Sequence, residues 1–168
     1  MPKSEFIVPL DAFDLDQPIA DIEAIRRLNP QRFEMEQLSA ILFEDTQQFS
    51  CAALKEVTDR EFWVRGHMPG MPLMPGVVML EAVAQLSSYF TQKHDLLGAE
   101  MVGFGGVDDV RFRGVVRPGD RLVLMVRLEK ARRNRMIVAK FQGVVGSNMV
   151  LEGLLRGIPI PVDVLTNG

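Results

Sequence analysis

The segment PGVVMLEAVAQLSSYFTQ, residues 75–92, limits the folds open to this chain more than any other stretch. Proline is favoured at the first position of a helix, and after Gly76 neither glycine nor proline occurs before Gly98, so the segment predicts one long helix. Apolar side chains lie on almost every side of this helix. Because such a helix must be enclosed by other elements, the rest of the chain must surround it.

The remainder of the chain is rich in strand-like segments. Four of them follow Gly98, separated by the turn sequences RPGD, RRN and GSN; they read MVGFGGVDDVRF, DRLVLMVRLEKA, RMIVAKFQGVV and MVLEGLLRGIPI. Two more strands are expected between Leu38 and Val57, and a shorter one at residues 61–64. We therefore predict an α+β fold in which an antiparallel β-sheet wraps around a long central helix.

The segment DRLVLMVRLEKA also predicts which sheet face meets the helix. Alternation places four apolar residues on one face: Leu122, Leu124, Val126 and Leu128. Val123 and Met125 fall on the opposite face, so we expect that face to be partly covered as well.

The chain divides into an N-terminal extension, residues 1–30, and one domain, residues 31–168. The extension is predicted to contain a short helix in ADIEAIRRLN, where Ile22, Ile25 and Leu28 recur at helical spacing. Asn29-Pro30 should end this helix, because a residue before proline disfavours the helical conformation.

Composition excludes several classes of function. Nineteen basic and 22 acidic residues leave a formal net charge of −3, which provides no overall attraction to nucleic acid or to an anionic membrane. The single cysteine, Cys51, excludes an internal disulfide and a multi-cysteine metal site, and is interpreted as a small buried residue in a reducing compartment. The longest apolar run, residues 77–90, has 14 residues, too few to span a membrane. Acidic residues near the N-terminus argue against a signal peptide, so a cytoplasmic protein is expected.

One carboxylate and one histidine stand out from the apolar background. Glu81 lies within the predicted helix, with Gln85 one turn further on the same face. An enclosed carboxyl group keeps its proton more readily than one in water, which suits a general acid. His67, in the preceding proline-rich loop, can act as a base near neutral pH. Gly76 leaves the first helix amides open to a carbonyl oxygen, which they can polarise.

A base, an acid and a carbonyl-polarising amide together predict a dehydration. In that reaction a proton is removed beside an activated carbonyl, and a hydroxyl group leaves as water. Glu81 lies about 7 to 8 Å along the helix axis from Gly76. A 3-hydroxyacyl thioester can span this gap, with its carbonyl at the glycine and its hydroxyl group at the carboxyl.

These residues also have structural interpretations. The loop histidine and Gln85 could be ordinary structural residues, and the glycine could only start the helix. Glu81 could pair with a buried arginine such as Arg111 or Arg113. His94 follows the predicted helix and is interpreted as structural, because a cation complements the negative end of the helix dipole.

Two motifs resemble those of a known family. GHMPGMPLMPGVVMLEAVAQ, residues 66–85, is similar to the signature G-H-F-P-x-x-P-x-x-P-G-V-L-x-x-E-A-x-A-Q of the bacterial 3-hydroxyacyl-[acyl-carrier-protein] dehydratases, with the same interval from histidine to glutamate. VRFRGVVRPGD, residues 110–120, resembles the family's K-V-R-F-R-x-x-V-x-P-G-D. The resemblance covers roughly residues 30–160.

The resemblance implies a hotdog fold and homodimers whose sheets join edge to edge, often assembled as a trimer of dimers. It implies an active site at the dimer interface, where His67 of one subunit faces Glu81 of the other. His67 would remove the C2 proton, Glu81 would help the C3 hydroxyl group leave, Gly76 would polarise the thioester carbonyl, and Gln85 would orient Glu81. No metal or redox cofactor is implied, and the acyl chain would arrive on the phosphopantetheine arm of acyl carrier protein.

The sequence departs from the family pattern at PQRFEMEQLSA, where Ser39 and Ala40 stand in place of a frequent Asp-Arg pair. Trp63, Met68 and Met74 are predicted to line the acyl tunnel, although methionines at such positions are more often core residues. These departures leave the preferred acyl chain length open.

The segment EKARRNR, residues 129–135, concentrates positive charge. It is either a solvated turn or a docking surface for the acidic acyl carrier protein, formed by Lys130, Arg132, Arg133 and Arg135.

Three functions compete. The first is dehydration of 3-hydroxyacyl-acyl carrier protein to the trans-2-enoyl product, in fatty acid biosynthesis or a related acyl pathway. A hotdog acyl-thioesterase would bind the same thioester but direct water at its carbonyl carbon, and the presence of both His67 and Glu81 argues against it. A non-catalytic acyl-binding subunit is suggested by the missing Asp-Arg pair and the added N-terminus.

Overall fold

A computed structural model describes residues 6–167. Residues 1–5 of the predicted extension, which also enter the argument against a signal peptide, and residue 168 of the predicted domain lie outside the described part. Its helices are α1 (Ile22–Arg26), α2 (Gly76–Lys93) and α3 (Val162–Thr166), with a short 3-10 turn at Phe33–Met35. Its strands are β1 (Ala40–Asp45), β2 (Ser50–Glu56), β3 (Met101–Phe112), β4 (Arg121–Arg132), β5 (Met136–Val145) and β6 (Asn148–Ile160).

The six strands form one antiparallel sheet in the order β1-β2-β4-β5-β6-β3. The sheet encloses α2, and the predicted α+β hotdog fold is confirmed. The apolar face of β4 predicted to meet the helix is buried in the core around α2: Leu122, Leu124, Val126 and Leu128. Within residues 6–167, no helix is long and apolar enough to cross a membrane.

The predicted short strand at residues 61–64 is wrong, because this segment forms a turn. The N–H of Val64 donates to the carbonyl of Glu61 (3.1 Å). The carboxylate of Glu61 accepts from the N–H of Thr58 (3.2 Å) and pairs with the almost buried Nζ of Lys55 (3.0 Å). These bonds pair polar groups of the segment locally, without a neighbouring strand. The loop that carries His67 begins at this turn.

The second face of the sheet is covered by the N-terminal extension. Val8 is fully buried in a second apolar cluster that includes Val123 and Met125. The N–H of Ile7 donates to Oε1 of Gln142 on β5 (2.7 Å), which holds the segment against the strand. The expected cover over the second face is therefore supplied by residues 6–15 of the extension. The division of the chain at residue 30 stays a prediction, although α1 lies within the stretch where the short helix was expected.

The two edges of the sheet differ. At β1, the extension adds an isolated bridge, in which the N–H of Ile41 donates to the carbonyl of Ala20 (2.9 Å). At β3, no described strand continues the sheet, and Phe104 and Phe112 are about half exposed. A long edge strand with exposed apolar side chains is a template for pairing with another chain.

Replacing Val8 by alanine tests the role of the extension. Because Val8 is fully buried under the outer sheet face, Val8→Ala should lower the free energy of unfolding by about 2 kcal/mol. Ile19→Ala is the matched control at a position 59% exposed in the same extension, and should change stability by less than about 0.5 kcal/mol. Urea denaturation measures the free energy of unfolding of both variants. Equal losses of stability would contradict the packing of Val8 against the sheet.

Candidate active site

The His67 ring is held in one orientation by its own loop. Nδ1 lies 2.8 Å from the carbonyl oxygen of Leu73, and the N–H of Leu73 returns a bond of 2.8 Å to the carbonyl of His67. Because a carbonyl oxygen only accepts, Nδ1 must carry the proton in the neutral ring. The lone pair is then on Nε2, which is the atom of a general base.

Glu81 lies in the second turn of α2 and is half buried. Its Oε1 accepts a hydrogen bond from Nε2 of Gln85 (2.8 Å), one turn further along the helix. The predicted contact between the two side chains is therefore present. Glu81 lines a pocket with about 450 Å³ of empty space, part of it open to solvent, whose other walls are residues 102–104 of β3 and 155–157 of β6.

The orientation of Gln85 is determined by a segment about 50 residues earlier in the chain. Its Nε2 also donates to the carbonyl of Met35 (2.6 Å), and its Oε1 accepts from the N–H of Gln37 (2.9 Å). Nδ2 of Asn29 binds the backbone carbonyl of Gln85 (2.9 Å). The NH₂ group of Gln85 must face the carbonyl of Met35, and its oxygen must face the N–H of Gln37. The side chain therefore cannot flip, and its NH₂ group can only donate to Glu81. Residues 29–37 thus position the acid, a role that sequence reasoning missed.

The first turn of α2 offers free amide groups. Pro75 precedes the helix and no side chain caps it, while the N–H groups of Gly76 and Val77 have no acceptor within residues 6–167. A Cβ atom at Gly76 would lie 2.6 Å from the ring of Phe112, the last residue of β3. A side chain at this position would therefore have to displace the Phe112 ring. The role of Gly76 in polarising a carbonyl stays a prediction.

His67 and Glu81 are not joined within the single described chain. No hydrogen bond or ion pair links them between residues 6 and 167. His67 precedes the start of α2, whereas Glu81 faces the pocket beside the open edge at β3. No residue of the His67 loop lines the Glu81 pocket within the described chain.

The alternative partners of Glu81 are occupied elsewhere or exposed. Arg113 donates to Oε1 of Glu152 (3.1 Å from Nε), and Arg111 is exposed. The structural interpretation of His94 is supported, because its Nε2 lies 3.5 Å from Oε2 of Glu44 at the end of α2.

A cysteine and a tyrosine with raised pKa values lie near the C-terminal end of α2. Cys51 is fully buried, as predicted, and burial raises the pKa of its thiol well above the ordinary value. Burial and the hydrogen bond to Glu44 (2.8 Å) likewise raise the pKa of Tyr89. Both groups therefore stay protonated near neutral pH. No group of three acidic, histidine or cysteine side chains among the described residues could hold a metal ion.

The three predicted tunnel residues differ in environment. Trp63 and Met74 are buried in the core around α2, whereas Met68 is 47% exposed in the His67 loop. Trp63 also supports that loop directly, since its carbonyl accepts from the N–H of His67 (2.8 Å). Their role in binding an acyl chain stays a prediction.

The basic hairpin lies at the opposite end of α2 from Gly76, about 27 Å along the helix axis. The N–H of Asn134 donates to the carbonyl of Leu97 (2.7 Å), and Arg133 pairs with Asp95 (2.9 Å) just beyond the helix. Three of the predicted docking residues are exposed and have no carboxylate partner within residues 6–167: Lys130, Arg132 and Arg135.

The antiparallel sheet around α2, with its pocket at one open edge, defines a protein of the hotdog class. A family model described as a FabA-like domain matches residues 29–153, and the chain belongs to the FabA-like family. The resemblance seen in the two sequence motifs is confirmed.

Curated relatives cover most of the chain. It is 38% identical over 138 residues to the 3-hydroxyacyl-[acyl-carrier-protein] dehydratase FabZ of Desulfotalea psychrophila, which covers 80% of this chain and 90% of that protein. It is 37% identical over 138 residues to the protein of the same name from Escherichia coli, with 80% and 89% covered. Among solved structures, the dehydratase heterocomplex ApeI:P from Xenorhabdus doucetiae superposes with a TM-score of 0.68 at 13% identity, covering 86% of this chain and 97% of that one, and supports the fold alone.

Replacing Gln85 by leucine tests the arrangement around the acid. Gln85→Leu leaves the buried N–H of Gln37 without a partner and removes the part-buried bond to the carbonyl of Met35, so the free energy of unfolding should fall by about 2 to 3 kcal/mol. Gln92→Leu removes a single exposed bond to Glu100 and should cost less than about 1 kcal/mol. Thermal or urea unfolding compares them, and a Gln85 variant as stable as its control would refute the arrangement.

Proposed function

We propose that this protein is a 3-hydroxyacyl-[acyl-carrier-protein] dehydratase, a hydro-lyase that forms the trans-2-enoyl thioester in fatty acid biosynthesis or a related acyl pathway. The observation that carries the proposal is the orientation of two side chains. Gln85 holds Glu81 towards the pocket, and Leu73 holds His67 with Nε2 free. Both groups are thus prepared for proton transfer.

The reaction follows from these groups. The thioester carbonyl accepts from the free N–H of Gly76, which stabilises the charge that develops on its oxygen. Nε2 of His67 takes the C2 proton, and the electron pair of that C–H bond forms the C2–C3 double bond. The bond from C3 to oxygen breaks as Glu81 gives a proton to the departing hydroxyl group, which leaves as water. Gln85 acts through Glu81 as a positioning residue.

The complete site requires two subunits. The His67 loop and the Glu81 pocket are separate within one chain, and β3 is an open edge with exposed apolar side chains beside that pocket. Pairing of β3 with β3 of a second copy would satisfy the edge and bring a second His67 loop to the interface. A homodimer with His67 of one subunit facing Glu81 of the other is therefore the functional unit. The larger trimer of dimers stays a prediction.

The substrate is carried on the phosphopantetheine arm of acyl carrier protein. The exposed part of the basic hairpin, Lys130, Arg132 and Arg135, suits an acidic carrier. Arg133 contributes less to this surface, because Asp95 neutralises it. The proposed chemistry consists of proton transfers and needs no further cofactor, and the cytoplasmic location stays a prediction.

The reaction is tested with a trans-2-enoyl thioester and purified protein. Reversible hydration to the 3-hydroxyacyl thioester is expected, and both His67→Ala and Glu81→Gln should lower its rate by at least about a thousandfold without changing assembly. Loss of ultraviolet absorbance of the enoyl thioester measures the rate. Release of free thiol would instead indicate a thioesterase, and no product would indicate a binding subunit.

The same two variants test whether subunits share the site. A heterodimer of His67→Ala and Glu81→Gln, isolated by two different tags, should regain about half of the wild-type activity, because one of its two sites has both residues intact. An inactive heterodimer would place each site within one subunit.

Carrier docking is tested by reversing one exposed charge. Arg132→Glu should raise KM for carrier-bound substrate about tenfold at low salt, with little effect on a small pantetheine thioester. Arg27 is an exposed arginine at the end of α1, and Arg27→Glu is the matched control. This control should leave KM unchanged for both the carrier-bound substrate and the pantetheine thioester. Equal effects of the two variants would argue against docking at the hairpin.

A further inference from the structure

The Glu81 pocket continues along α2 to two serine residues. Ser87 and Ser88 line it together with Ala84, opposite residues 102–104 and 155–157. They follow Glu81 by six and seven residues, which is about 9 to 10 Å along the helix axis. This part of the pocket therefore lies where the acyl chain continues beyond C3, if Glu81 acts at C3 as proposed above.

Two wall residues of the pocket carry polar atoms that have no partner within residues 6–167. Ser87 is 1% exposed, and its hydroxyl group makes no hydrogen bond within residues 6–167. Oε1 of Gln31, another wall residue, is also buried without a partner. Buried polar groups are nearly always paired, because an unmade hydrogen bond is costly. Two wall residues of the pocket thus carry an unpaired polar atom, a hydroxyl group on Ser87 and a carbonyl oxygen on Gln31.

A plain alkyl chain satisfies neither atom. A hydroxyl group on the chain can accept from Ser87 or donate to Gln31, and an oxo group can accept from Ser87. We infer that the enzyme selects acyl chains that carry an oxygen substituent several carbons beyond C3, with Ser87 as the residue that recognises it. This inference rests on the proposed function, and it names the substrate class for the same site.

Binding to the full-length Glu81→Gln protein tests the inference without turnover. The probes are pairs of trans-2-enoyl pantetheine thioesters of six, eight and ten carbons, each with a terminal methyl or a terminal hydroxymethyl group. At one of the three chain lengths, the hydroxymethyl probe should bind about fivefold more tightly than the methyl probe of the same length, as measured by titration calorimetry. Adding Ser87→Ala should abolish that preference.

Thr91→Val is the matched control. Thr91 also lies on α2, is fully buried and has an unpaired hydroxyl group, but it does not line this pocket. Its variant should keep the preference for the hydroxylated probe. The inference is overturned if no hydroxylated probe binds more tightly than its partner, or if the preference survives Ser87→Ala. The proposed function is tested separately by the hydration assay. It fails if the wild-type protein hydrates no unsubstituted enoyl thioester.

Discussion

The apolar surface of α2 extends around most of its circumference, and water is kept from it only because the antiparallel sheet curls over it. Eleven of its 18 residues are buried, so the helix could not form in isolation from the strands. A polar group on such a helix must find a partner inside the protein or in a ligand. This requirement applies to Gln85 and Ser87, which are buried, whereas Glu81 is half buried beside a pocket that is partly open to solvent.

The polar groups of α2 meet that requirement in different ways. Gln85 uses both ends of its amide, towards Met35 and Gln37, and directs its remaining N–H to Glu81. The proposed acid is thereby held by backbone groups whose positions do not depend on the substrate. Ser87 lacks any such partner. Thr91 also has an unpaired hydroxyl group, but of these two residues only Ser87 lines the Glu81 pocket.

The strands were predictable because alternation is a local property. Leu122 and Leu124 face α2 as expected, and Val123 on the other face pointed to a cover without revealing what supplies it. The short strand expected at residues 61–64 was wrong, because the segment forms a turn in which Trp63 is buried and Phe62 is exposed. Apolar content alone does not distinguish these two outcomes.

The sequence by itself determined the enclosed helix, the order of the strands along the chain, and the residue types and intervals of His67, Gly76, Glu81 and Gln85. Only the tertiary structure decided how Gln85 is oriented, which nitrogen of His67 is free, and that residues 6–15 cover the outer sheet face. The physical reason is the range of the interactions. Periodicity and turn chemistry act between neighbours, whereas the bond from Gln37 to Gln85 joins residues that become neighbours only after the chain has folded.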